Sequence, residues 1–102
     1  MTKKITLTIV SRYWGEVSYE DLPSEELGNG LAVAHSSLWK WAVFDVKSGL
    51  LVASGCRTKY LALEKYQTLI KDKEKMANLE KSRKSLTYKD RCLDLERHRM
   101  YR

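Results

Sequence analysis

The sequence lacks any segment typical of a membrane-spanning or exported protein. No apolar run in its 102 residues approaches the length of about 20 residues that a membrane-spanning helix needs. The opening stretch, MTKKITLTIVSRYWGE, carries two lysines before a short apolar patch, as a signal peptide would. Threonine alternates through that patch, however, and no small-residue cleavage site follows it. We therefore expect the stretch to be a β-strand of a cytoplasmic protein that has no membrane partner.

The sequence also has few residues that could support metal or covalent chemistry. Its two cysteines, Cys56 and Cys92, form no C-x-x-C motif, which favours two reduced thiols. Together with His35 and His98 they could supply four zinc ligands. Cys92 and His98 lie six positions apart, however, and would diverge by about 120° around a helix. No structural zinc spacing, nucleophile elbow or glycine-rich phosphate loop is present, so we expect neither metal nor cofactor.

Positive charge is what the sequence has in excess, and all of the excess lies in one half. The formal net charge is +6. Residues 1–56 carry five Lys or Arg against six Asp or Glu, whereas residues 57–102 carry fourteen against seven. Such an asymmetry suggests a polyanionic partner, most often nucleic acid. A solvated helix surface is the alternative interpretation.

The first third of the chain predicts two strands separated by a loop. In ITLTIV the apolar residues Ile5, Leu7 and Ile9 alternate with threonines, as in a half-buried strand. Residues 17–30 are acidic and punctuated by proline and glycine, which predicts a loop. LAVAH, residues 31–35, predicts a short strand.

The stretch LWKWAVFDVKSGLLVASG, residues 38–55, predicts a β-hairpin. Its strands are expected at residues 38–46 and 50–54, joined at the sequence KSG, whose glycine supports a three-residue loop. Alternation places Trp39 and Trp41 on one face, and apolar residues also fill the other face. Both faces therefore need cover. The two tryptophans are interpreted as core, with a binding interface as the alternative.

The C-terminal half predicts two helices. Thr58 is a suitable N-cap for a helix over residues 59 to about 84, whose apolar stripe ends near Ile70. TYKD, residues 87–90, resembles a capping box and predicts a second helix from about Tyr88. We expect this second helix to fold back over the tryptophan face. Otherwise another subunit or a binding partner would have to cover it.

Basic residues beside aromatic ones mark the candidate binding surface. Cations contact phosphates, and aromatic rings stack on bases. The predicted nucleic-acid or partner-binding residues are Lys81, Arg83, Lys84, Lys89, Arg91, Arg97, Arg99, Tyr101 and Arg102. Trp39 and Trp41 form the candidate interface if the tryptophan face is not core.

Catalysis has one weak candidate. Asp45-Val46-Lys47 matches the D-x-K element of metal-dependent nucleases, in which the carboxylate holds Mg²⁺ and the lysine supports the attacking water. Glu20 and Asp21 could add carboxylates. Asp and Lys are also ordinary residues at the edge of a hairpin turn, however. We therefore predict no catalytic residues and keep a nuclease that uses Asp45 and Lys47 as the alternative.

The order of strand, hairpin and helix, with WAVFDVKSGLLVASGCRTKYLALEKYQTLI at its centre, resembles two groups over about residues 38–70. One is the arm-type DNA-binding modules of phage integrases, which implies a sheet face in a DNA groove, although these strands carry only Lys40 and Lys47. The other is the small accessory proteins of bacteriophages, including anti-CRISPR inhibitors. That resemblance implies binding to a nucleic-acid-handling enzyme in the cytoplasm of a bacterial host, often by occupying its substrate channel.

Taken together, the sequence predicts one α+β domain over residues 1–102. Residues 1–56 would be mainly strands and loop, and residues 57–102 helical and basic. We expect a small antiparallel sheet of three or four strands, packed by a long helix and followed by a shorter C-terminal helix. The predicted function is non-enzymatic binding of nucleic acid or a nucleic-acid-binding protein complex, with an anti-CRISPR-type inhibitor as its concrete form. The alternatives are the nuclease and a structural oligomerisation module, which would make the tryptophan face a homodimer interface.

Overall fold

Strands fill the first half of the chain and helices the second. The structure, a computed structural model, describes residues 3–36 and 39–100, except for the side chains of residues 11–13. The predicted site residues Tyr101 and Arg102 lie outside the described residues. The elements within them are β1 (Lys3–Tyr13), β2 (Glu16–Gly28), β3 (Leu31–Ser36), β4 (Lys40–Asp45), β5 (Leu51–Cys56), α1 (Lys59–Lys71), α2 (Lys73–Arg83) and α3 (Leu86–Met100).

The strands form one antiparallel sheet in the order β1-β2-β3-β4-β5. The predicted α+β class is confirmed, and so is the hairpin, which is β4 and β5. The predicted number of strands is wrong, because the described part of the chain has five. The additional strand is β2, which lies where a loop was expected.

β2 tolerates its polar composition because much of it pairs on one side only. Residues 16–23 pair with β1, and pairing with β3 begins at Ser24. Pro23 lies just outside the β3 pairing, where its missing N–H removes no hydrogen bond to that strand. The missed signal was Asn29-Gly30, since this dipeptide favours a two-residue hairpin turn, and both residues have positive φ.

The β1–β2 hairpin covers one face of the β4–β5 hairpin. Leu7 and Ile9 of β1 and Leu22 of β2 share a buried cluster with Ala42 and Phe44 of β4. The β1 strand also reaches the turn after β4, where the Val10 backbone N–H donates to the Gly49 carbonyl oxygen at 3.3 Å. The prediction that the C-terminal helix covers the tryptophan face is wrong, because Trp39 packs on this cluster and Trp41 packs on the cluster that holds Ala62 of α1. The sheet covers the Phe44 face itself by bending its first hairpin across it.

Helix α1 covers the opposite face. Ala62 and Tyr66 are buried, and Leu69 and Ile70 pack beside them against a cluster that includes Val43. The predicted stripe is confirmed. So is the N-cap, because Thr58 Oγ1 accepts a hydrogen bond from the backbone N–H of Leu61 at 3.2 Å. Periodicity sufficed here because the whole signal lies within four turns of one helix.

The long helix expected over residues 59–84 is wrong, since it breaks at Asp72. This residue is extended, with φ −92° and ψ 106°, and its side chain caps α2 by accepting from the backbone N–H groups of Glu74 and Lys75 at 3.0 and 3.1 Å. Aspartate is a favoured N-cap residue, because its carboxylate satisfies the N–H groups of the first turn. The break allows Leu79 of α2 to pack on the α1 cluster instead of overhanging the sheet.

Helix α3 begins at Leu86, slightly earlier than expected. Its cap is Ser85 rather than Thr87, because Ser85 Oγ accepts from the Tyr88 N–H at 3.2 Å. Leu95 is completely buried and lies against the β4–β5 turn. At Gly49, where φ is 71°, a Cβ atom would lie 2.5 Å from the Thr8 carbonyl oxygen and 3.4 Å from Leu95 Cδ2. Glycine is therefore required at this junction of β1, the turn and α3.

Candidate nucleic-acid interface

Most of the predicted cations on α2, on α3 and between them lie on the outside of the molecule. We call six of them the basic surface: Lys81, Lys84, Lys89, Arg91, Arg97 and Arg99. All are exposed except Arg91, which is half-buried. Within the described residues, none of the six forms a salt bridge with a carboxylate. Their charges are thus available to an outside partner.

Arg83 differs from its neighbours because its guanidinium is held inside the protein. Its Nη2 lies 3.0 Å from Asp45 Oδ1, and its Nε donates to the same oxygen at 3.1 Å. The Nη2 group also donates to the backbone oxygen of Asn29 at 2.6 Å. Only 20% of the Arg83 side chain is exposed. Arg83 thus joins the end of α2 to the β2–β3 turn and is better placed to orient the basic surface than to contact a ligand.

Asp45 is the centre of this arrangement. Its second oxygen, Oδ2, accepts from Ser48 N–H at 3.0 Å, from Ser48 Oγ at 2.7 Å and from the Tyr88 hydroxyl at 2.8 Å. The buried carboxylate therefore connects β4 and its turn to both α2 and α3. We call Asp45, Ser48, Arg83 and Tyr88 the clasp. The Asp45 carboxylate can be buried at little cost in stability because each of its oxygens accepts more than one hydrogen bond.

Burial raises the pKa of the Tyr88 phenol above its ordinary value of 10.0, and the hydrogen bond to the Asp45 carboxylate raises it further. Both effects favour the neutral phenol, which can donate a proton to the carboxylate, over a phenolate beside it. Tyr88 consequently remains a hydrogen-bond donor through neutral pH.

The residues of the nuclease alternative are placed differently. Asp45 faces the Arg83 guanidinium, whereas Lys47 is exposed on the turn. Asp21 accepts a hydrogen bond from Thr8 on the β1–β2 hairpin. Among the residues that the structure describes, no three His, Cys, Asp or Glu side chains are grouped so that they could hold a metal ion. A cation on Asp45 would have to displace Arg83, so the geometry gives Asp45 a structural role.

The structure separates the two tryptophans that alternation placed together. Trp39 packs on the Phe44 cluster and Trp41 on the cluster of Val33 and Ala62, which lies under α1. The prediction of one shared face is wrong because Lys40, between them, has φ 58°, and this left-handed residue interrupts the strand alternation. Both rings are half-buried, and they do not form one continuous interface.

Sequence reasoning missed an aromatic pair and an exposed ring on the β1–β2 hairpin. Tyr19 of β2 stacks on His98 of α3, with ring centroids 4.0 Å apart and an interplanar angle of 12°. Trp14 stands at the turn of the same hairpin with 87% of its surface exposed. The available signal was Gly15, which lies between two runs of strand-forming residues and can supply the positive φ of a hairpin turn.

The hairpin and the basic surface therefore meet at the C-terminal end of α3, where Arg97 and Arg99 flank His98. Within residues 3–36 and 39–100, no helix is long and apolar enough to cross a membrane. Comparison of the chain with protein-family models, curated proteins and solved structures finds no match.

Proposed function

We propose that this protein binds nucleic acid through the basic surface and performs no catalysis on it. The observation that supports the proposal is the set of exposed cations on α2 and α3 that have no carboxylate partner among the described residues. Lysine and arginine side chains in such a position displace the counterions condensed on a phosphate backbone, which is the main source of affinity for nucleic acid.

The clasp makes the arrangement better suited to binding than a mobile basic helix would be. Arg83 and Tyr88 attach the facing ends of α2 and α3 to one buried carboxylate, Asp45. The cations on either side, Lys81, Lys84 and Lys89, are thus presented from two anchored helix ends. Less conformational freedom is lost on binding when the contacting groups are already positioned.

The test is the salt dependence of binding, compared between two variants of equal charge. The first replaces Lys81, Lys84 and Lys89 by Gln. The matched control replaces Lys3, Lys4 and Lys47, which are exposed on the strands and the β4–β5 turn. Arg83 is left unchanged because its replacement would break the clasp.

Fluorescence anisotropy of labelled oligonucleotides at several salt concentrations gives the slope of log affinity against log salt. Each lost phosphate contact should reduce that slope by about 0.9 on duplex DNA and about 0.7 on a single strand. We expect the first variant to lose about two to three units and the control to match the wild type. Equal behaviour of both variants, or no wild-type binding at low salt, would refute the proposal.

An inhibitor of a nucleic-acid-handling enzyme, of the phage anti-CRISPR type, is the second candidate. The charge distribution of the described residues supports it, because the exposed charged residues of β2 are all acidic (Glu16, Glu20 and Asp21), whereas α2 and α3 expose cations together with carboxylates. A protein that exposes both kinds of charge could engage both the nucleic acid and the basic channel of an enzyme bound to it. Partner capture that survives nuclease treatment and is lost when Glu16 and Glu20 become Gln would support this form.

On the same proposal the protein acts in the cytoplasm. Cys56 and Cys92 are free thiols, which are typical of proteins in a reducing compartment. Localisation of a tagged protein in its own cells would test this placement.

A further inference from the structure

The turn of the β1–β2 hairpin has a residue that its backbone does not favour. Trp14 and Gly15 have φ angles of 53° and 79°, so both central residues are left-handed. Two-residue turns of this kind favour Asn, Asp or Gly at the first position, because a bulky side chain is strained there. Trp14 nevertheless occupies it, with 87% of its surface exposed. Strain combined with exposure at one residue indicates a function other than folding.

The hairpin that carries this turn contacts α3, which holds part of the basic surface. Tyr19 and His98 stack at 4.0 Å and so attach the hairpin to the end of α3. Trp14 lies five residues before Tyr19, which is at most about 17 Å along a strand. A stacked strand of nucleic acid rises about 3.4 Å per nucleotide, so the distance corresponds to about five nucleotides. One short segment could therefore contact Arg97 and Arg99 and also reach Trp14.

We propose that Trp14 stacks on an unpaired base, which makes single-stranded nucleic acid the ligand class of this protein. The inference rests on the proposed function. An exposed ring on a hairpin that is attached to the arginine-bearing end of α3 matches the way proteins bind single strands, in which cations follow the backbone and aromatic rings take the bases. Glu16, adjacent to the turn, is exposed and would repel phosphates, so the base rather than the backbone is the group that meets Trp14.

The same turn offers a variant that separates stacking from folding. Trp14→Asn removes the ring but creates Asn-Gly, the dipeptide that favours this turn, so the hairpin should be at least as stable. Trp14→Tyr retains an aromatic ring and serves as the matched control. The full-length wild type and both variants would be titrated with three probes: an oligothymidylate, an abasic strand of equal length, and a DNA duplex.

We expect Trp14→Asn to weaken binding of the oligothymidylate by about 5- to 150-fold, the range for loss of one base–aromatic stack. The salt slope should not change, because no phosphate contact is lost. Binding of the abasic strand should also be unchanged, since that strand carries the charge without the bases. Trp14→Tyr should recover most of the affinity, and the duplex should bind the wild type more weakly than the oligothymidylate does.

Four results would overturn the inference. If Trp14→Asn binds the oligothymidylate as the wild type does while the Lys81, Lys84 and Lys89 variant loses affinity, the proposed function stands and the stacking role fails. If Trp14→Asn weakens the abasic strand equally, Trp14 does not act through bases. If the variant loses only the capture of a protein partner, Trp14 is a protein contact. A wild type that binds none of the three probes refutes the inference and the proposed function together.

Discussion

Two turns of the sheet share a backbone shape but differ in the type of residue that occupies it. Asn29-Gly30, between β2 and β3, has φ angles of 56° and 73°, and Trp14-Gly15 has angles of 53° and 79°. Asn29 Nδ2 donates to the Tyr66 hydroxyl at 3.1 Å, and its carbonyl accepts from Arg83 at 2.6 Å. Trp14 has 87% of its surface exposed.

The difference shows at which turn the residue matches the conformation of the backbone and at which turn it does not. The turn that joins the sheet to α1 and to the clasp has the residue type that its conformation favours. The turn at the far end of the β1–β2 hairpin has a type that its conformation disfavours. Departures of this kind are expected at functional positions, because selection for binding can offset a small loss of stability. The following predictions test this contrast from the largest effect to the smallest.

The largest effect is expected at the clasp, because its Arg83 connects Asp45 to the turn at Asn29. Asp45→Asn removes the charge that faces Arg83 and leaves a poorly compensated guanidinium. Breaking a buried pair by removing one partner costs about 3 kcal/mol or more, and urea denaturation should show a loss of about that size. Lys47→Gln, on the same turn but exposed, is the control and should change stability little. A loss below about 0.5 kcal/mol for Asp45→Asn, the scatter of ordinary surface substitutions, would contradict the role given to the clasp.

The second effect compares alanine at the two turns. Asn29→Ala loses the hydrogen bond to Tyr66 and a residue tolerant of positive φ, so the free energy of unfolding should fall by about 2 kcal/mol. Trp14→Ala exchanges one disfavoured residue for another at a largely exposed position and should cost less stability than Asn29→Ala does. Equal losses in urea denaturation of the two variants would show that the turns do not differ as described.

The third prediction is an increase in stability rather than a loss. Trp14→Asn should stabilise the protein by about 1 kcal/mol because it relieves the left-handed strain, which corresponds to a rise of roughly 5 °C in Tm. Thermal unfolding followed by circular dichroism measures the shift. A lower Tm would mean that Trp14 contributes to folding after all, and the contrast between the turns would disappear.

The smallest effect is a pH dependence. The pKa of Tyr88 is raised above its ordinary value of 10.0, so the folded state favours the neutral phenol. Its contribution is fully present below about pH 10 and is lost as pH rises from there through the raised pKa. The stability difference between the wild type and Tyr88→Phe should therefore be constant near neutrality and shrink in strong base. A difference that already falls between neutral pH and pH 9 would require another titrating group.

Several elements could be predicted because their signals are local. Alternation in ITLTIV predicted β1, and the stripe around Tyr66 predicted α1 with its Thr58 cap. β2 was missed because its acidic residues resemble a loop, and only pairing with β1 makes them a strand. The break at Asp72 was missed because one extended residue hardly changes a helical pattern that spans about 25 positions.

The candidate site was predictable in charge but not in arrangement. The sequence identified the basic C-terminal half, yet it treated Arg83 as equivalent to Lys81 and Lys84. Nothing in their order along the chain distinguishes the three cations. The separation of Trp39 from Trp41 could not be predicted either. Alternation assumes a regular extended backbone, and Lys40 between the two tryptophans has a positive φ.

The sequence by itself determined the α+β class, the β4–β5 hairpin, the buried stripe of α1 and the half of the chain that holds the positive charge. These properties depend on neighbours within a few residues, so periodicity and counting reveal them. Only the tertiary structure decided that the β1–β2 hairpin covers the sheet face that holds Phe44 and that Arg83 faces inward. The contacts of Arg83 with Asp45 and Asn29 join residues 38 and 54 positions apart, and that of Tyr88 with Asp45 joins residues 43 positions apart. Contacts over such separations follow from how the sheet bends and where α2 ends, and no local pattern encodes either one.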